Sequence, residues 1–101
     1  MSSSENPVRR VSIDIRKPPL RLTLGFRPTI IVAGRGQPTQ WGVGTWQLPA
    51  DADNTIIVYL HLRGITVGRA EYVLRPTDDA ALEYRAPTPL TFRARLAPPR
   101  A

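Results

Sequence analysis

The stretch TIIVYLHLRG, Thr55 to Gly64, places Ile56, Val58, Leu60 and Leu62 on one face of an extended chain and Ile57, Tyr59, His61 and Arg63 on the other. β-Branched and aromatic residues in a period of two specify a strand. Apolar side chains on both faces put that strand at the centre of a sheet. The same period recurs on either side of it. In VSIDI, Val11, Ile13 and Ile15 oppose Ser12 and Asp14. In LRLTLGF, Leu20, Leu22, Leu24 and Phe26 oppose Arg21, Thr23, Gly25 and Arg27. TIIVAG, after Pro28, is a short β-branched run expected to be covered on both faces.

Beyond Gly64, ITVGRAEYVLRP stays extended with Ala70, Tyr72 and Leu74 aligned, and Gly68 marks a bulge or a close backbone approach. TDDA turns the chain. ALEYRAP and LTFRARLAP end the series, the latter with Leu90, Phe92, Ala94 and Leu96 opposite Thr91, Arg93 and Arg95. Eleven prolines, from Pro7 to Pro99, interrupt any long helix. Seven or eight short strands with frequent turns predict an all-β chain, a small antiparallel β-sandwich of immunoglobulin-like type; a small β-barrel is the alternative. At 101 residues there is room for one core. The aperiodic segments 1–7 and 97–101 read as tails around a single domain over 8–96.

Composition excludes much chemistry. Without cysteine there is no disulfide, thiolate metal site or cysteine nucleophile. One histidine, His61, and one methionine, Met1, cannot assemble the usual imidazole or thioether metal sites within one chain. Neither a metal nor a cofactor is expected. MSSSENPVRR lacks the apolar region of a signal peptide, and no apolar run is long enough to span a bilayer, so the expectation is a cytoplasmic protein.

The net charge is +6, and Lys17 is the only lysine beside thirteen arginines. Such a balance suits an anionic partner; it is also what a GC-rich genome produces without selection for binding. Arg21 with Arg27, and Arg93 with Arg95, share strand faces, with Arg63 and Arg85 as further candidates nearby, that could grip phosphates or carboxylates. A solvated face that discourages edge-to-edge aggregation is the simpler reading. No aromatic track interleaves with these arginines as single-strand nucleic-acid binding requires.

WGVGTWQLP, Trp41 to Pro49, holds both tryptophans. Residues five apart on a strand face opposite ways, so a bulge at Gly44, or at Gly42 and Gly44, would bring both rings to one side. The alternatives are core packing of at least one indole, a ligand platform and a protein interface. AGRGQP lacks a phosphate-binding glycine pattern and reads as a hairpin loop over Ala33 to Pro38. DADNT mimics the start of a calcium loop, but Ile56 stands where glycine is needed and Leu62 where the bidentate acid should be. A turn capped by Asx side chains, with Asn54 left-handed, is the expectation. His61 sits mid-strand with no serine tied to it, and Asp78 and Asp79 diverge in a turn, so no catalytic set is found.

The succession RPTIIVAGRG, WGVGTWQLPA, IIVYLHLRG, VGRAEYVL, LEYRAP resembles small β-rich modules of actinobacterial proteins, of the PEGA-type or immunoglobulin-like sandwich style, over about residues 27 to 90. In such modules a Pro-Ala-Gly turn precedes the central strand; here PADADNT takes its place. The resemblance implies a non-enzymatic accessory or interaction module and supplies no catalytic residue. The expectation is therefore a non-enzyme that binds another protein through a sheet edge or the Trp41 to Trp46 surface, with homodimerisation by edge pairing as one form of that contact. Binding of an anionic polymer or membrane surface through the arginines Arg21, Arg27, Arg93 and Arg95 is the alternative.

Overall fold

A computed structural model describes residues 7–16, 25–86 and 94–99. The strands are β1 (Val8–Arg16), β2 (Arg27–Val32), β3 (Arg35–Pro38), β4 (Gly42–Pro49), β5 (Asn54–Leu62), β6 (Ile65–Leu74), β7 (Ala81–Arg85) and β8 (Arg95–Ala97). They form two packed four-stranded sheets, ordered β4, β1, β7, β8 and β3, β2, β5, β6. The arrangement is a sandwich and not a closed barrel. Every pairing is antiparallel except β1 with β7, which is parallel. The strand expected over Leu20 to Phe26 and the start of the last one lie mostly outside the described residues.

Alternation fixes which face each strand buries. From the first sheet Val11, Ile13, Ile15, Leu82, Tyr84 and Leu96 point inward, and from the second Ile30, Val32, Ile56, Val58, Leu60 and Leu74 meet them. β5 lies inside its sheet, as its apolar faces require. β2 is also internal, but its outer face is only half covered: Ile31 is half-buried beside Ile57, and among the described residues no further layer packs over that side.

The two hairpins of the second sheet close through two-residue turns with both central residues at positive φ: Ala33 (53°) and Gly34 (79°), then Arg63 (47°) and Gly64 (84°). Mirror-image turns of this kind match the twist of the flanking strands. Ala33–Gly34 alone thus makes the turn that was expected to run from Ala33 to Pro38, and Arg35–Pro38 is an edge strand instead.

At Gly68 the bulge is present. Val58 pairs with Ala70 but Leu60 with Val67, leaving Gly68 and Arg69 opposite Tyr59. Gly68 has φ 66°, the left-handed conformation that the first residue of such a bulge needs. Its carbonyl accepts the Tyr84 hydroxyl at 2.6 Å across the sheet interface. Here β6 of one sheet lies against β8 of the other, so this side of the sandwich is closed.

Two polar side chains secure the ends. Arg9 continues the inward phase of β1, and its guanidinium donates to the carbonyls of Arg75 (2.8 Å), Pro76 (3.0 Å) and Asp78 (3.0 Å), tying β1 to the β6–β7 turn that links the two sheets. Asn54 is buried at the start of β5 and is not left-handed. Its amide donates to the carbonyls of Pro49 (2.9 Å) and Ala52 (3.1 Å), so it holds the turn by its acceptors and not by capping amides.

Candidate functional site

The tryptophans define one side of the sandwich. β4 pairs with β1 in unbroken register from Val8 and Pro49 to Ile15 and Gly42, so Gly44 forms no bulge. Gly44, Trp46 and Leu48 share the inward phase. A Cβ placed on Gly44 would sit 2.6 Å from Trp46 Cη2 and 3.0 Å from Cζ3, which means that the indole folds back over the glycine. Gly44 is thus a seat for the ring. The left-handed residue is Gly42, φ 108°, and Trp41 precedes it outside the strand. Both indoles are half-buried and pack against the core, so each ring has one part held by the interior and one part exposed.

Trp46 also walls a cleft of about 410 Å3, with Val32, Ala33, Arg35, Gln37 and Gln47. The cleft opens between β3 and β4, the edge strands on the side that β6 and β8 do not close.

Backbone phase separates these two edges. The Ala50 amide donates to the Pro7 carbonyl at 3.0 Å, in the register of β4 with β1. Hydrogen-bonded and open pairs alternate in an antiparallel ladder. Leu48, Trp46 and Gly44 are therefore the residues that bond β1, and the backbone N–H and C=O of Val43, Thr45 and Gln47 face outward. On β3, Thr39 N–H bonds the Pro28 carbonyl at 3.0 Å, so Gly36 and Pro38 face outward, and Pro38 has no N–H to offer.

Natural sheets guard their edges with charge, proline, bulges or short length. β3 carries Arg35 and Pro38, β6 carries Arg69, Glu71 and the bulge, and β8 is three residues long with Arg95. From Gly42 to Leu48, β4 has no charged residue and no proline, and Val43 is 70% exposed. Among the described residues nothing pairs with its outer side.

The arginines divide between faces. Arg27 pairs with His61 on the outer face of the second sheet, where both are exposed. Arg95 lies on the outer face of the first sheet, so Arg27 and Arg95 do not meet. Arg21 and Arg93 lie outside the described residues. The neighbours of Arg95 are Arg85 and, beyond it, Arg16, aligned by the register of β1, β7 and β8.

Next to this row runs a second one, Asp14, Glu83 and Ala97. Arg16 Nε lies 2.8 Å from Glu83 Oε2 and 3.1 Å from Asp14 Oδ2, and Arg85 Nε lies 3.0 Å from Glu83 Oε1. The Asp14 hydrogen bond first, then the charges of Glu83 and Asp14, push the Arg16 guanidinium further up its high range. The sequence holds a trace of this lattice in Asp14-Ile-Arg16 and Glu83-Tyr-Arg85, where acid and arginine flank a core residue.

Among the described residues no three His, Cys, Asp or Glu side chains gather as metal ligands, and no helix is long and apolar enough to cross a membrane. No protein-family model, curated protein or solved structure matches the chain.

Proposed function

We propose that this chain is a non-enzymatic interaction module that binds another protein by adding an extended segment of it to the outer edge of β4, beside Trp46. The observation behind this reading is the unguarded edge itself: outward N–H and C=O groups at Val43, Thr45 and Gln47, with no charge or proline from Gly42 to Leu48. An added strand supplies main-chain hydrogen bonds for affinity, and its alternate side chains give specificity. In this geometry those side chains enter the cleft along Trp46, Gln37 and Arg35. The edge and the tryptophan surface become one site.

Gln47→Pro tests the reading. Pro49 already occupies the same phase, and proline at 47 removes an outward N–H without breaking a bond to β1. Wild type immobilised in native lysate is expected to retain a discrete protein at physiological salt. Gln47→Pro and Val43→Lys, folded by circular dichroism, should lose it. Equal retention by both variants refutes the edge.

Electrostatic binding to an anionic polymer or membrane surface is the second reading, supported by the +6 charge and the arginine row. It requires a partner that leaves as salt rises.

A further inference from the structure

The outer face of the first sheet is a charge lattice with one position unfilled. Its basic row is Arg16, Arg85, Arg95 and its parallel row is Asp14, Glu83, Ala97. In two columns a carboxylate stands beside the arginine. In the third the position belongs to Ala97, and Arg95 has no carboxylate partner among the described residues. A hollow of about 170 Å3 occupies that place, lined by Glu83, Arg85, Arg95, Ala97 and Pro98.

Glu83 prepares the hollow. Its side chain is only 11% exposed, and each oxygen is taken by one arginine through Nε, Arg16 on one side and Arg85 on the other. Holding Arg85 by its Nε leaves its terminal nitrogens free of any carboxylate among the described residues, at the rim it shares with Arg95. A guanidinium fixed in this way loses less side-chain entropy when it binds a second oxyanion.

We infer that this hollow receives the carboxylate of an Asp or Glu side chain from an acidic segment of another polypeptide, completing the lattice over Ala97. A monoanion repeats the arrangement of the other two columns. A phosphate dianion would set two charges against one uncompensated arginine, beside the carboxylate of Glu83. The inference goes beyond the β4 edge and is independent of it, since β1 lies between β4 and the two strands, β7 and β8, that line the hollow.

The test is fluorescence polarisation with a labelled oligoglutamate peptide and the full chain, at low and at physiological salt. Three variants each lower the net charge by one: Arg95→Gln, Ala97→Glu, which fills the hollow from within, and Arg27→Gln on the opposite sheet. Loss of one partly exposed charge-assisted contact is expected to weaken binding about fivefold in Arg95→Gln and Ala97→Glu, against less than about twofold in Arg27→Gln. Ala97→Glu should also melt higher than wild type, because its carboxylate meets Arg95. Equal losses in all three variants would mean attraction to net charge and would overturn the site. So would peptide binding that inorganic phosphate displaces at concentrations where acetate does not, which would assign the hollow to a different anion. Should Ala97→Glu fail to fold, Arg95→Gln against Arg27→Gln decides alone.

Discussion

Gly44→Ala isolates the contact that shapes the cleft. The backbone at Gly44 is not left-handed, so alanine is allowed there, and in a strand it should gain about 0.5–1 kcal/mol over glycine. Against that, the new methyl would lie 2.6, 3.0 and 3.2 Å from Cη2, Cζ3 and Cζ2 of Trp46. The backbone cannot yield, being hydrogen-bonded to β1, so the indole must swing away from the core it packs against. Forcing a methyl into an occupied site costs about 1–3 kcal/mol. The net loss is then about 0–2.5 kcal/mol, centred near 1 kcal/mol, and a loss of about 1 kcal/mol lowers the melting temperature by roughly 4–8 °C in a domain of this size.

Urea unfolding followed by circular dichroism measures the stability, and tryptophan emission reports the displaced ring. A double-mutant cycle gives the sharper readout. In a Trp46→Leu background the clash is gone, and alanine at 44 should be neutral or stabilising. A coupling of about 1–3 kcal/mol between the positions is expected. Additive effects, or a Gly44→Ala chain as stable as wild type with unchanged emission, would mean that Gly44 does not seat the ring.

Two other substitutions probe the sheet interface. Tyr84→Phe removes the hydroxyl that donates to Gly68 and should cost about 1–2 kcal/mol by leaving a carbonyl unpaired in the interior. Burial pushes the Tyr84 phenol up, so the folded state keeps a proton that the unfolded chain releases near pH 10. Stability should therefore be intact below about pH 10 and fall as pH rises past it. Tyr84→Phe should flatten that decline in urea titrations from pH 8 to 11, and an unchanged slope would count against it. Arg9→Lys replaces a fork on three carbonyls with one ammonium, and a loss of about 1–2 kcal/mol is expected, with faster amide exchange at Asp78. Unaltered stability and exchange would show the clamp to be dispensable.

Side-chain alternation made much of this fold legible in the sequence, because a two-residue period records which face is dry. Val11, Ile13 and Ile15, or Ile56, Val58 and Leu60, could be assigned inward without knowing their neighbours. Gly68 was readable for a similar reason, being a residue without a side chain inside an otherwise continuous strand. β3 was not, since Arg35-Gly36-Gln37-Pro38 has no apolar phase and exists as a strand only because a tight turn delivers it to β2. Gly44 misled because glycine serves two ends, a backbone conformation and an absence of volume, and only the indole above it tells which. The arginine lattice depends on the parallel pairing of β1 with β7, which brings Arg16 beside Arg85. Two acid-apolar-arginine triplets far apart in the chain do not announce that they are neighbours.

That parallel pairing also orders events during synthesis. The second sheet is built from strands between Arg27 and Leu74, two tight hairpins joined by β5 against β2, and loop closures this short are fast. The first sheet must wait. Ser12 finds its partner Ala81 only after all the strands from β2 to β6 have been made, so β1, with three side chains that end fully buried, leaves the ribosome long before one of its two flanking strands exists. Long-range pairing of this kind slows folding and prolongs exposure of apolar chain. The same topology that completes the first sheet last makes an unfinished or truncated chain its most aggregation-prone form.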